Sequence, residues 1–335
     1  MRVGIAGAGS MGRVHAGGWA AAGATVAGFL GGRSDAARTL AAQYGARVYP
    51  DAAALLADVD VVDICTPTDQ HAELALAAAA AGRQIVCEKP LARTLDEGRA
   101  VLAACRAAGV RLLVAHVVRF FPEYALARAR VAEGAIGRPA VLRLARGSYR
   151  PARPQDNWFV DQDRSGGLLL DLMIHDYDYA RWVAGEVTQV YARHVAGVHP
   201  DASLDYGLAI LTHASGAITH VAGSWAYPPP TFRAGLEIAG ETGLIACDTT
   251  STEPLELLLA QERADAPAVA LPPDALGENP YTTQIRSFYE TLTHGRPTRV
   301  TAEDGLAALQ IGLAAVESAR TGRAVRLEPL PEVAR

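Results

Sequence analysis

The first twelve residues constrain the fold of this 335-residue chain more than any other stretch. The apolar run 3–6 predicts a buried strand, and three glycines follow it at once in the spacing G-x-G-x-x-G. Glycines in that spacing permit a tight turn, admit a pyrophosphate close to the backbone and let the next helix pack on the strand. The N-terminus of that helix offers N–H groups to phosphate oxygens. We therefore assign five residues of the turn to a dinucleotide site: Gly7, Gly9, Ser10, Met11 and Gly12.

Strands and helices alternate through the remainder of residues 1–120. Apolar runs predict further strands at 25–30, 59–65, 84–87 and 111–116, with helical patterns between them. This alternation is typical of an α/β domain with a doubly wound parallel sheet, whose ligands bind at the carboxyl ends of the strands. We predict a Rossmann domain over residues 1–120.

The end of the second strand bears on which dinucleotide binds. A carboxylate there would accept from the ribose 2′-OH of NAD, but the chain continues Gly31-Gly32-Arg33-Ser34. An arginine and a hydroxyl suit a 2′-phosphate through charge-assisted hydrogen bonds. We therefore assign Arg33 and Ser34 to the cofactor site and favour NADP over NAD. The alternative is a solvated Arg33 and a site that leaves NAD unselected.

Two later strand ends face the same ligand crevice. The third apolar run leads into Thr66-Pro67, and His71 begins the helix that follows it. The fourth run leads into Glu88-Lys89-Pro90. We treat His71 as a neighbour of the cofactor at most, because a histidine at a helix start is more often a capping or surface group. The cofactor assignments at these two ends are Thr66, Pro67, His71 and Glu88.

Lys89 is the one lysine among the 31 lysine and arginine residues of the chain. A guanidinium stays protonated at any usable pH, whereas an ammonium can shift its pKa and pass a proton. A lone lysine in an arginine-rich chain is therefore a candidate for chemistry that arginine cannot perform. The alternative is that a general drift from lysine to arginine left one lysine by chance.

Residues 121–335 predict a second, α+β domain. A strand over 140–149 is followed, from residue 187 onward, by alternating runs that predict antiparallel strands, among them 255–260. Helical patterns return at 281–294 and 303–321. We expect a large mixed, mostly antiparallel open sheet with helices on one face. Its other face is expected to pair with a second subunit.

The stretch 168–183 reads as one helix that contains a candidate acid–base pair. Asp171 and His175 are four residues apart, which makes them neighbours on one helix face in an otherwise apolar turn. A carboxylate beside an imidazole can fix its tautomer and raise its basicity, as a general base requires. The alternative is a buried pair that only braces the helix.

A loop that mixes polar and aromatic residues follows the strand at 140–149. Side chains of this kind could hydrogen-bond hydroxyl groups and stack on the apolar face of a ring, although an ordinary surface loop explains the stretch equally well. The candidate substrate contacts here are Tyr149, Asn157 and Trp158.

Composition excludes several classes of partner. The formal net charge of -5 argues against nucleic acid and against an anionic membrane surface. No apolar run is long enough to cross a bilayer, and the chain enters a strand immediately, so we expect a cytoplasmic protein. The 4 cysteines have neither C-x-x-C nor His/Cys ligand spacing, which favours free thiols and no metal site.

Together these motifs resemble those of the Gfo/Idh/MocA oxidoreductases. The resemblance rests on the early glycine turn, Cys65-Thr66-Pro67, Glu88-Lys89-Pro90, Arg119-Phe120 before Pro122, and D-x-x-x-H at Asp171 and His175. It covers the whole chain, and Glu-Lys-Pro at this place is its most specific mark.

The resemblance implies an NAD(P)-dependent oxidoreductase that moves a hydride between a nicotinamide and a secondary alcohol or ketone of a cyclic polyol or sugar. Lys89 would lie beside the nicotinamide and the reacting carbon, and His175 would be the general base, oriented by Asp171. Substrate contacts would come from these three residues and Arg119. It further implies a homodimer or homotetramer formed through the open sheet.

Two other functions stay open at this point. Some family members bind the dinucleotide without turnover, as regulatory or sensing proteins. Others use transient oxidation to cleave a glycosidic bond, which makes them hydrolases that retain their cofactor. The first class would be marked by loss of Lys89, Asp171 or His175, and this chain keeps all three.

Overall fold

A computed structural model describes residues 1–31, 34–151, 157–196, 205–248 and 278–330. The chain forms two compact units, Met1–Phe121 with Asp274–Leu309, and Pro122–Pro273 with Gln310–Arg335. Residues 278–309, which the sequence pattern places with the second domain, thus cluster with the first. A close approach explains this, since Gly18 lies against the side chain of Ile285 with no room for a Cβ between them.

The first unit is built on a six-stranded parallel sheet in the order β3-β2-β1-β4-β5-β6. This is the strand order of a doubly wound dinucleotide-binding fold, so the predicted fold class of the first domain is confirmed. The strands are β1 (Arg2–Ala6), β2 (Thr25–Leu30), β3 (Arg47–Tyr49), β4 (Val61–Ile64), β5 (Gln84–Glu88) and β6 (Leu112–Ala115).

Local signals start and stop the helices of this unit. Ser34, Asp51 and Thr94 each accept a backbone N–H as the N-cap, and Gly45 and Gly109 end their helices in the left-handed conformation. Thr94 and Glu97 form a capping box, as their spacing predicts. The helices are α1 (Ser10–Ala21), α2 (Asp35–Tyr44), α3 (Ala52–Asp58), α4 (His71–Ala80), α5 (Leu95–Ala108) and α10 (Pro280–His294).

The second unit contains a seven-stranded sheet in the order β12-β11-β7-β10-β9-β8-β13. Only the β7–β10 pair is parallel within the described part of this sheet, so the predicted mixed, mostly antiparallel sheet is confirmed. The strands are β7 (Pro139–Ser148), β8 (Val187–Ala196), β9 (Asp205–His213), β10 (Ile218–Ser224), β11 (Phe232–Gly240), β12 (Leu244–Asp248) and β13 (Val325–Arg326). The strand expected at 255–260 lies outside the described residues.

One face of this sheet is covered by helices of the same unit. Alternate residues such as Leu144, Leu211 and Val221 are buried on the covered face, whereas Tyr206, Leu208 and Ile210 of β9 point outward and stay exposed. A strand alternates its side chains between two faces, which produces this division. The helices are α6 (Pro122–Ala132), α7 (Gln162–Ser165), α8 (Gly167–Asp171), α9 (Ile174–Ala184) and the second half of α11 (Ala302–Thr321).

The predicted single helix over 168–183 is wrong. The structure has two helices, α8 ending at Asp171 and α9 beginning at Ile174, with Leu172 and Met173 between them. The Met173 N–H donates to Leu168 O, five residues back, and the Asp176 N–H donates to Met173 O, three residues back. The backbone therefore leaves the regular i−4 pattern between the two candidate catalytic residues.

No described helix combines the length and the apolar composition that a bilayer crossing requires.

Candidate active site

The glycine turn between β1 and α1 is shaped so that only glycine fits. Gly7 adopts φ +111, and a Cβ there would lie 2.5 Å from the carbonyl oxygen of Cys65. A Cβ on Gly12 would lie 2.0 Å from the carbonyl oxygen of Gly7. The turn is thereby held directly against the end of β4, next to Thr66.

The N-terminus of α1 has the form that a dinucleotide phosphate requires. Its N-cap is Gly9, which provides no side-chain hydrogen bond, so the N–H groups of the first turn are not occupied by a cap. No acidic residue lies in that turn. Free N–H groups and the positive end of the helix dipole suit an anion, and the predicted residues from Gly7 to Gly12 therefore fit the pyrophosphate of a dinucleotide.

The loops after β4 and β5 contact each other through His71. Its Nε2 lies 2.9 Å from Thr66 O and its Nδ1 lies 2.7 Å from Pro90 O. Burial lowers the pKa of this histidine, so at neutral pH the ring carries a single N–H and donates it to one of the two carbonyl oxygens. His71 is buried rather than exposed, and it ties together the loops that carry Thr66, Pro67 and Lys89.

The Thr66 side chain offers a further polar group to a ligand. Its hydroxyl oxygen is buried and has no hydrogen-bond partner among the described residues. A buried hydroxyl in this condition is costly unless another molecule satisfies it. Its place at the carboxyl end of β4 agrees with the predicted role of Thr66 in cofactor binding.

The strand end that predicts NADP is described only in part. Arg33 lies outside the described residues. Ser34 is exposed and its hydroxyl caps α2 by accepting the Ala37 N–H at 3.4 Å, which leaves its O–H proton able to donate. The nearest following carboxylate, Asp35, is exposed and paired with Arg38.

Lys89 lies at the carboxyl end of β5, and its backbone is fixed on both sides. Its N–H donates to Glu88 Oε2 at 3.0 Å, while the next carbonyl, that of Pro90, contacts His71. The Lys89–Pro90 peptide bond is cis. The Lys89 side chain is half-buried, whereas that of Glu88 is buried. The backbone that carries the ammonium is therefore held by side chains from β5 and α4.

A buried cluster behind Glu88 was not predicted from the sequence. His15 of α1 lies between two carboxylates, with its Nδ1 2.9 Å from Asp63 Oδ2 and its Nε2 3.2 Å from Glu88 Oε1. Trp19 Nε1 donates to the same Asp63 oxygen at 2.6 Å. An available signal was Asp63 itself, a charged residue inside the otherwise apolar run of β4.

His15, Asp63 and Cys65 offer ligand atoms within 4.8 Å of one another, the spacing of a metal site. The same atoms already contact each other directly, with His15 Nδ1 3.4 Å from Cys65 Sγ. Burial raises the pKa of the Cys65 thiol, so the sulfur stays protonated where no cation contacts it. All four cysteines are free thiols. The expectation that no metal takes part stays a prediction.

In the second unit, Asp171 ends α8 and His175 lies in the first turn of α9. Asp171 is buried and His175 is half-buried. The start of α9 is anchored by Asp176, which accepts from Arg146 Nε and Nη2 at 2.9 Å each. Arg146 comes from β7 and is itself buried, so this bidentate pair fixes the helix turn that carries His175.

The predicted substrate contacts of the second unit lie at the end of β7 and in the segment that follows. Tyr149 is buried and forms an isolated bridge with Ala226, and burial raises the pKa of its hydroxyl. Trp158 stacks on Phe159 with ring centroids 3.9 Å apart. Asn157 Nδ2 donates to Pro151 O at 2.8 Å. Residues 152–156 of the same loop lie outside the described ranges.

Arg119, the predicted substrate contact of the first unit, is buried against its own unit. Its Nη1 donates to Arg299 O at 2.9 Å and to Asp304 Oδ2 at 3.0 Å. These contacts tie the turn after β6 to the start of α11. They describe a structural role, and its role toward substrate stays a prediction.

Comparison with known proteins matches both halves of the chain to known protein families. Residues 1–116 match the model of an oxidoreductase family with an NAD-binding Rossmann fold, and residues 124–246 match the model of the GFO/IDH/MocA C-terminal domain. The chain is 33% identical to the 1,5-anhydro-D-fructose reductase of Ensifer adhaerens over 276 residues, which are 81% of this chain and 80% of that protein.

Two further similarities extend over nearly the whole chain. The inositol 2-dehydrogenase of Rhizobium meliloti is 31% identical over 334 residues, 98% of this chain and 99% of that protein. A structure of levoglucosan dehydrogenase in complex with NADH and levoglucosan superimposes with a TM-score of 0.82 at 26% identity, and covers 97% of this chain and 99% of that one.

Proposed function

Because this chain belongs to the Gfo/Idh/MocA family of NAD-binding oxidoreductases, we propose that it oxidises a secondary alcohol of a cyclic polyol or sugar to the ketone, reversibly. The observation that carries the proposal is the placement of Lys89. The lone lysine of the chain stands at the carboxyl end of β5, an interior strand of a dinucleotide-binding sheet, with its backbone held by Glu88 and by the His71–Pro90 contact.

The cofactor would be held chiefly by the glycine turn and the N-terminus of α1. The backbone N–H groups of Ser10, Met11 and Gly12 would bind the pyrophosphate. The Thr66 hydroxyl would hydrogen-bond a polar group in another part of the dinucleotide. When bound, the nicotinamide supplies the acceptor or donor of the hydride.

The proton chemistry is assigned to three side chains. His175 takes the proton of the substrate hydroxyl as general base, and Asp171 orients the imidazole and stabilises its charged form. The Lys89 ammonium donates a hydrogen bond to the reacting oxygen and stabilises the negative charge that develops there.

A polyhydroxylated ring is the proposed substrate class. The relatives above are named for inositol, 1,5-anhydro-D-fructose and levoglucosan. Asn157 and Trp158 of this chain would supply a hydrogen-bonding amide and an aromatic surface for such a ring, with Tyr149 and Arg119 as further contacts.

For the cofactor we propose NADP in preference to NAD. The support is the sequence Gly31-Gly32-Arg33-Ser34 at the end of β2, which has no carboxylate for a ribose 2′-OH and provides a cation and a hydroxyl for a 2′-phosphate.

A substrate panel tests the proposed function. Inositols, aldoses and sugar lactones are each incubated with NAD and with NADP, and the nicotinamide absorbance is followed. We expect reduction with at least one ring polyol, and a loss of about 10²-fold or more in kcat for His175→Asn because general-base catalysis is worth that much.

With glycosides added to the panel, the same assay separates the two other functions. Cleavage of a glycoside with no net change in nicotinamide absorbance would identify a hydrolase that retains its cofactor. Dinucleotide binding with no turnover of any member of the panel, and identical behaviour of His175→Asn, would favour a sensing protein and contradict the proposal.

A further inference from the structure

The buried cluster behind Lys89 contains a histidine with a carboxylate at each ring nitrogen. His15 Nδ1 lies 3.0 and 2.9 Å from the two oxygens of Asp63, and Nε2 lies 3.2 Å from Glu88 Oε1. The His15 and Asp63 side chains have no exposed area, and that of Glu88 is 8% exposed. Solvent therefore does little to screen these charges.

Only a protonated ring suits both carboxylates. A neutral imidazole that donates from Nδ1 to Asp63 would direct the lone pair of Nε2 toward the Glu88 carboxylate. An imidazolium keeps the bond to Asp63 and places its positive charge 3.2 Å from Glu88 Oε1, which offsets two negative charges that would otherwise be buried together. The pKa of His15 is raised well above its ordinary value, because the opposing effect of burial is outweighed by the negative charge of Asp63.

Glu88 connects this charge to the catalytic strand end. Its Oε1 faces His15, while its Oε2 accepts the backbone N–H of Lys89 at 3.0 Å. The pKa of Glu88 is lowered, since His15 outweighs the effect of burial. The same carboxylate is thus held by a cation on one side and holds the Lys89 backbone on the other.

We propose that His15 is a positioning residue of the reaction, which as a buried imidazolium orients Glu88 and through it the backbone of Lys89. His15 belongs to α1, the helix assigned to the dinucleotide phosphates, so the cluster also sets the register between that helix and the lysine. The kinetic consequence of this inference rests on the proposed function, whereas the positive charge inferred for His15 does not.

The charge state is measured first, on the intact protein with bound NADPH. Nitrogen-15 NMR of the histidine-labelled protein distinguishes ring nitrogens that carry a proton from those that do not, and His15→Gln identifies the signal. We expect both nitrogens of His15 to be protonated at pH 8. A neutral ring at pH 8 overturns the proposal, whatever the kinetics.

Asp63→Asn then tests the coupling to Lys89. The replacement keeps an oxygen for Trp19 and for the ring but removes one negative charge, so the pKa of His15 falls toward the assay range. The titratable groups that face this ring in the described structure are Asp63, Cys65 and Glu88. Above the lowered pKa, kcat should fall about tenfold per pH unit, as expected for loss of one required proton.

The matched control is His213→Gln. His213 is a buried histidine of β9 in the second unit, bonded to Gly185 O and Thr219 Oγ1. This control should lose stability but show the pH profile of the parent. The dissociation constant for NADPH should stay within about twofold in both variants, because neither removes a phosphate contact.

The outcomes separate the inference from the proposed function. A parent protein that turns over no substrate but carries a protonated His15 at pH 8 contradicts the function alone. An active dehydrogenase whose Asp63→Asn variant keeps the parent pH profile contradicts the positioning role alone. Stoichiometric zinc in the purified protein, absent after Asp63→Asn, overturns the inference by making the cluster a metal site.

Discussion

At the scale of single residues, the role proposed for Lys89 requires an ammonium group and not merely a positive charge. Arginine has a charge of the same sign but is planar, larger and unable to give up a proton. For Lys89→Arg we expect dinucleotide binding within about twofold of the parent and a kcat lower by about 10²-fold or more, since general acid–base and electrostatic help at the reacting oxygen is lost. Fluorescence titration with NADPH and initial rates on the best ring polyol measure the two effects.

Arg93→Lys is the control for Lys89→Arg, because it alters the nearest following arginine in the chain, outside the strand end. It should leave both quantities unchanged. Near-normal turnover of Lys89→Arg would mean that the site needs a cation of any shape.

Arg33 provides the second test at this scale. If its guanidinium pairs with a 2′-phosphate, Arg33→Ala should raise the KM for NADP about tenfold or more and leave the KM for NAD within twofold, because a hydrogen bond to a charged group is worth about 1.5–3 kcal/mol. Arg38→Ala, which removes an exposed arginine paired with Asp35, is the control. Comparable rates of the parent with both dinucleotides would defeat the preference for NADP.

Asp63 shows where residue-level prediction from the sequence ends. Its place within an apolar run predicts a buried strand and leaves the charge unexplained. The explanation lies in His15 and Glu88, which are 48 and 25 residues away along the chain. In the folded protein His15 contacts Asp63 on one side and Glu88 on the other. Spacing along a sequence cannot predict a contact that parallel strand order creates.

At the scale of elements, the Arg146–Asp176 pair links β7 to the first turn of α9. Both side chains are buried, with 5% and 0% exposed, so removing one partner leaves an uncompensated charge in the core. For Arg146→Leu we expect a loss of about 3–5 kcal/mol in the free energy of unfolding. The double variant Arg146→Leu/Asp176→Leu should recover much of that loss. Urea unfolding followed by circular dichroism measures both.

Arg138→Ala is the control for that experiment, because its partner Glu241 is an exposed surface residue. It should shift the urea midpoint little. A single variant Arg146→Leu as stable as the parent would show that Asp176 finds another donor or is protonated in the native protein.

Most elements of this molecule could be predicted because their residues satisfy one simple period. The strands of both sheets other than β3 and β13 are of that kind, and so are helices α2, α4, α5 and α10. The break between α8 and α9 could not be predicted in this way, because the residues from Leu168 to Ile174 are apolar apart from Asp171. Such a run has no period that distinguishes a continuous helix from an interrupted one. The short strand β3 and helix α3 lack a strong pattern and were also missed.

At the scale of the whole molecule, the face of the seven-stranded sheet on which described apolar side chains are exposed predicts self-association. Leu208 and Ile210 of β9 are 42% and 36% exposed, and Ile218 of the neighbouring strand is 41% exposed. An apolar face of this kind usually meets a partner. We expect two or four chain masses by light scattering, and a shift to one or two for Leu208→Arg, because the charge would be buried in the contact.

Leu126→Arg is the control for the assembly experiment. It removes a leucine of α6 that is more exposed than Leu208 but does not belong to the sheet. It should keep the mass of the parent. A parent of one chain mass at all concentrations would contradict the predicted assembly.

The placement of α10 has a consequence for how the protein is made. The ribosome completes all six strands of the first sheet before residue 121 and then synthesises most of the second unit before Ile285 emerges to cover Gly18. During that interval the face of α1 that carries Gly18 lacks the cover that Ile285 gives it in the finished protein. A nascent chain halted before α10 should therefore be bound by chaperones, even though its first sheet is already complete. Proteases should also cut it at sites that are buried in the finished protein.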